Sequence, residues 1–185
     1  MALTADSVTG YTAGTWVLDP DHSEVTFSIR HLAISKVKGN FEKFDVTVVT
    51  GDNPEESKIT ASIDVSSINT GSPKRDGHLR TNDFFAIDEY PTIDFVSSVI
   101  RHEGEDVFID GDITIRGVTK KATFTGEFGG IVVSGYGQTV AGGSFTTKIN
   151  RHDFGVSWNT AVESVGVMLG DEVTINIEAQ VILQP

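Results

Sequence analysis

The chain has 185 residues, enough for one domain with a substantial core. Its apolar residues suit sheets: 21 Val and 16 Ile stand against 6 Leu and 2 Met, beside 20 Thr and 11 Phe. Such β-branched and aromatic side chains exclude a helical bundle. A net charge of −12 repels phosphate backbones, so nucleic acid is not an expected partner, and zero Cys excludes disulfides and thiolate chemistry.

In chain order, Met1–Gly10 carries neither a basic residue nor a long apolar run. It is therefore not expected to be a secretory signal, and the chain reads as cytoplasmic. Residues 1–12 are expected to form a flexible tail ahead of a single domain over 13–185. Strands are predicted near 14–19 and 23–31. In the second, Val25, Phe27 and Ile29 share one face while Glu24, Thr26, Ser28 and Arg30 take the other.

Further strands follow near 37–50 and 57–66, where Ile59, Ala61, Ile63 and Val65 alternate with polar residues. Ser72-Pro73, a cap residue followed by Pro at the first helical position, opens a short helix. Strands at 92–101, 106–116, 119–128 and 138–150 come next, then a helical turn at 159–165 and a last strand at 171–183. No segment reaches the roughly 18 apolar residues of a membrane span, so stable membrane insertion is not expected. Hairpin-length connections imply a largely antiparallel sheet of about eight strands. A hollow barrel and a sandwich with a solid core both satisfy this pattern.

Catalytic motifs are missing: there is no G-x-S-x-G, no phosphate-binding G-x-x-x-x-G-K-[ST] and no H-E-x-x-H. The five His residues are dispersed, with no metal-ligand spacing among them. His31 continues the apolar face of Val25, Phe27 and Ile29. It reads either as a hydrogen-bonded core residue or as the anchor for a polar head at a barrel mouth. Phe41, Phe44, Phe84 and Phe85 either seal a core or line a cavity entrance. Arg75 is expected to pair with a carboxylate.

Several segments together resemble YceI-like proteins. They are Asp19-Pro20-Asp21-His22-Ser23-Glu24-Val25, Arg30-His31-Leu32, Arg75-Asp76-Gly77-His78-Leu79 and Asp83-Phe84-Phe85. Tyr90-Pro91-Thr92-Ile93-Asp94-Phe95, Ile113-Thr114-Ile115-Arg116-Gly117, Asn150-Arg151-His152-Asp153-Phe154-Gly155 and Gly170-Asp171-Glu172-Val173 complete the series, in order over roughly residues 14–183. The resemblance implies an all-β, elongated, lipocalin-like antiparallel barrel with an apolar interior. It also implies carriage of a polyisoprenoid or isoprenoid quinone, and pairing as a homodimer.

The reading from sequence is thus a non-enzymatic binder of an isoprenoid lipid, with no cofactor beyond that ligand. Val25, Phe27 and Ile29 are expected to line the wall, and His31 to meet the head. Phe41, Phe44, Phe84 and Phe85 are expected near the mouth or lid. Two alternatives remain open: a hydrolase or isomerase using His31 or His78 with Asp76 or Asp153, and a dimeric stress-response module with a filled core.

Overall fold

The period-two runs are strands in the computed structural model, which describes residues 3–185. β1 (Gly14–Leu18) and β2 (Glu24–His31) form one long stave, kinked where Pro20–His22 makes a single 3-10 turn. β3 (Ser35–Phe41) and β4 (Phe44–Thr50) form the second, interrupted at residues 42–43. β5 (Lys58–Asp64) and the two-residue β6 (Ile68–Asn69) form the third, split by the turn Val65–Ser67. The two interruptions satisfy each other: the Glu42 amide donates to the Ser67 carbonyl and the Lys43 amide to Ser67 Oγ, at 3.2 and 2.9 Å.

Five uninterrupted strands follow: β7 (Thr92–Glu103), β8 (Asp106–Ile115), β9 (Val118–Val133), β10 (Thr139–Asn150) and, after two short strands described below, β13 (Leu169–Leu183). Each stave runs antiparallel to the next, and β13 closes the ring by pairing with β1 and β2, Val181 opposite Leu18 and Ile177 opposite Val25. The result is an eight-stave, lipocalin-like barrel following chain order, closed by the pairing of β1 with β13, with β3 and β6 ending the sheet at one end.

One irregularity matters for the interior. On β7, Ile93, Phe95 and Ser97 point inward, but a bulge between Ser97 and Val99 inserts one residue. Beyond it the inward set is Ile100 and His102. A one-residue offset reverses the face of everything after it.

One end of the barrel is plugged. Helix α1 (Pro73–Leu79) begins as its sequence suggests, the Ser72 side chain accepting from the Arg75 amide. Arg75 does not take the expected carboxylate. Its guanidinium donates to the hydroxyl and carbonyl of Thr70, both at 2.8 Å, while buried Asp76 accepts from the Thr70 amide. The helix thereby closes back onto the loop that leads into it.

Residues 159–165 are not a helical turn as expected. β11 (Ala161–Val162) and β12 (Gly166–Val167) pair as a small hairpin. Gly166 adopts φ 87°, a left-handed conformation that ends the turn and would break a helix. The 3-10 turn of this region lies earlier, at Arg151–Phe154.

Two arginines hold the plug. Arg116, in the tight β8–β9 turn, donates to the carbonyls of Phe84, Gly155 and Asn82 at 3.0, 2.8 and 2.8 Å. Arg151 is buried, and donates to Gly170, Val156 and Trp158 carbonyls at 2.8 Å each. Burial pushes its guanidinium pKa down, with the negative charge of Asp171 opposing the shift.

Candidate ligand cavity

Alternation sends one side of every stave inward, and the barrel does not fill its own interior. A cavity of about 810 Å³ remains, far above the size of packing defects in protein cores and within the range of lipid and cofactor sites. Its deep wall is apolar: Val25, Phe41, Ile63, Ile93, Ile115 and Phe124 close in above the plug. Trp16 is buried higher up, its indole N–H donating to Thr50 Oγ1 at 3.0 Å, so that the ring faces the interior with its polar edge satisfied.

Polar side chains gather mainly towards the open end, formed by the β4–β5, β7–β8 and β9–β10 connections. Thr50, Ser57, His102 and Glu105 lie there. Asp94 also borders the cavity, but its carboxylate accepts from Ser62 and Thr92 hydroxyls. His102 Nδ1 is buried with no hydrogen-bond partner among the described residues, and sits 3.7 Å from Glu55 Oε1.

The N-terminal segment belongs to this end. Of the expected tail over residues 1–12, residues 1 and 2 lie outside the described residues, and the rest lies against the mouth. The Leu3 amide donates to Glu55 Oε1 at 2.9 Å, and the Tyr11 hydroxyl to the Gly51 carbonyl at 2.9 Å. Between them, Ser7, Val8 and Thr9 border the cavity. The β9–β10 hairpin, whose Ile131 lies beside Gly10, exposes Val132, Val133 and Tyr136.

The residues singled out in the sequence separate into three groups. Val25 and Phe41 line the cavity. Phe27, Phe44 and Phe85 pack against the core cluster instead. Phe27 covers Gly39, where any Cβ would come within 2.5 Å of its ring, and lies 5.5 Å from the Phe41 ring. Phe85 meets Phe41 edge-on at 6.3 Å from below, and Phe84 stacks with Trp158 at 5.3 Å within the plug. Ile29 and His31 occupy the β2–β3 hairpin at the plugged end, His31 opposite Ser35 and Leu169. The structure therefore does not bring His31 to the mouth.

Sequence reasoning passed over His102 because it falls in a predicted turn and, counted by alternation from Ile93, on the outer face. His78 contacts Asp83 at 2.7 Å and packs between Phe84 and Trp158, outside the cavity, so neither Asp76 nor Asp153 partners it.

A closed eight-stave barrel, plugged at one end and hollow with an apolar lining, defines a lipocalin-like fold with an internal cavity. The chain belongs to the YceI-like family: the family model for the YceI-like domain matches residues 16–181. A relative from Staphylococcus aureus strain MSSA476, UPF0312 protein SAS2572, is 42% identical over 168 residues, covering 89% of this chain and 95% of its own. Among solved structures, the Campylobacter jejuni YceI protein is 32% identical with a TM-score of 0.70, over 96% of this chain and 100% of that one. A polyisoprenoid-binding domain from Saccharophagus degradans shares the fold, with a TM-score of 0.68 at 14% identity, over 94% and 100% of the two chains.

Proposed function

We propose that the protein binds and carries a long apolar isoprenoid lipid, a polyisoprenoid or an isoprenoid quinone, without changing it chemically. The apolar cavity of about 810 Å³, open at one end, carries this reading. Each methylene moved from water to such a wall contributes about 0.8 kcal/mol, so a flexible chain gains affinity along its length without specific polar contacts. The polyisoprenoid-binding domain of the same fold supports the choice of ligand class. The hollow interior disfavours a filled-core module, and the wall is complete within one chain.

Organic extraction of the purified protein followed by mass spectrometry tests the proposal. The expected result is a co-purifying isoprenoid, or uptake of one by stripped protein from a mixture. Protein that yields no lipid and takes up none rules the reading out.

A further inference from the structure

Apart from Asp94, whose carboxylate is taken up by Ser62 and Thr92, the cavity is polar at its mouth, and the kind of polarity there constrains what the head of a bound lipid can be. No Lys or Arg is among the described residues lining the cavity, whereas Glu105 borders it and Glu55 stands beside it. The basic residue adjoining His102 in sequence is turned away: Arg101 lies on the outside, 4.4 Å over the Phe108 ring and 2.9 Å from Asp110. A phosphate or diphosphate entering this mouth would lose its hydration and meet carboxylates in place of the cations that stabilise such groups.

His102 offers the opposite kind of contact. The β7 bulge swings it inward at the level where the lining changes from apolar to polar, and its Nδ1 lacks a partner among the described residues. A buried polar atom without a partner is costly, and that cost is relieved when a ligand atom or water bonds to the ring. Depending on tautomer, an imidazole donates to a carbonyl or accepts from a hydroxyl through one of its two nitrogens. Glu55 Oε1, already accepting the Leu3 amide, stands too far away at 3.7 Å to satisfy it.

Building on the proposed isoprenoid reading, we infer that His102 is the head-group residue of the cavity, and that it selects an uncharged oxygen head, a quinone carbonyl or a free hydroxyl, against phosphate-headed isoprenoids. The tail then occupies the apolar depth towards Phe41 and Ile115, and the head stays beneath Leu3–Thr9.

The test is competitive loading of stripped full-length protein, read by native mass spectrometry. The probes are a prenylated quinone, the prenyl alcohol, the prenyl diphosphate and the head-less hydrocarbon, all with one tail length. The quinone, the alcohol or both should bind at least about tenfold more tightly than the diphosphate, and the arm that wins identifies the head. His102→Leu should reduce that ligand to the affinity of the hydrocarbon while leaving hydrocarbon binding intact, and His102→Gln, which keeps a donor and an acceptor, should retain most of the preference. A diphosphate bound as tightly as the neutral heads, or a preference unchanged in His102→Leu, overturns the inference and leaves isoprenoid binding standing. If no probe binds, the hydrocarbon included, both readings fall together.

Discussion

Phe95 on β7 lays its ring against Gly111 on β8, so closely that a Cβ on Gly111 would come within 2.5 Å of the ring and would also meet the Val96 carbonyl. The contact sits beside the bulge that turns His102 inward, where Ser97 pairs with Gly111 and Val99 with Asp110. The missing side chain at 111 makes room for the displaced β7 backbone and for a ring that forms part of the cavity wall. Gly111→Ala is expected to destabilise the protein by about 1–3 kcal/mol through overpacking, measured by urea denaturation. An unchanged midpoint would show that β7 relaxes freely at the bulge.

Ala179 lines the cavity on β13 opposite Gly143 on β10. Ala179→Trp should fill open space without disturbing the packed plug. Lipid loading is expected to fall roughly tenfold or more while the melting temperature stays near that of the parent. Loading at the parental level would place the ligand outside the barrel.

Arg151 is the buried one of the two arginines that tie the plug, holding three carbonyls with one side chain. Arg151→Met keeps much of the volume but leaves those acceptors unpaired. The expected loss is about 3 kcal/mol in chemical denaturation, with the barrel strands retained in far-UV circular dichroism.

Asp110 accepts from Arg101 and from the Thr123 hydroxyl, and these bonds, the Arg101 one foremost, hold its carboxyl below the usual carboxylate range against the opposing effect of burial. Because folding lowers this pKa, the contribution is complete above the unfolded value of about 3.9 and is lost as pH falls through the lower folded value. Asp110→Asn should therefore be less stable than the parent at neutral pH. The gap should close in strong acid, as followed by thermal melts across pH, and a gap that widens in acid would contradict this assignment.

Leu32 and Ala33 at the tip of the β2–β3 hairpin have φ of 52° and 58°, a conformation that L residues adopt at a cost. Ala33→Gly relieves it. After the added flexibility of the unfolded chain is discounted, a net gain of about 0.5 kcal/mol is expected in denaturant titration, and a loss would show that the Ala33 methyl makes a stabilising contact.

The inward residues Val25, Ile59, Ala61 and Ile63 are legible because alternation is a local property of each strand. The turn at Arg116-Gly117 is local as well, although the three carbonyls that Arg116 gathers come from distant loops. The aromatic pair Phe84-Phe85, expected near the mouth or lid, lies at the plugged end, because its place depends on where α1 and residues 151–159 dock. His31 and His102 show the limit most plainly. Both lie at stave ends, and periodicity alone cannot tell a mouth from a plug.

The 21 Val, the 16 Ile and their period-two placement determined by themselves that this is a β protein whose strands each have a dry face. Tertiary structure decided that the dry faces enclose a cavity rather than one another, because ring closure between β13 and β1–β2 holds opposite walls apart. It also decided which polar residue meets that cavity. One extra residue in β7 reverses every side chain beyond it, and a bulge is set by the partner strand, where Gly111 leaves space, and not by the pattern of β7 itself.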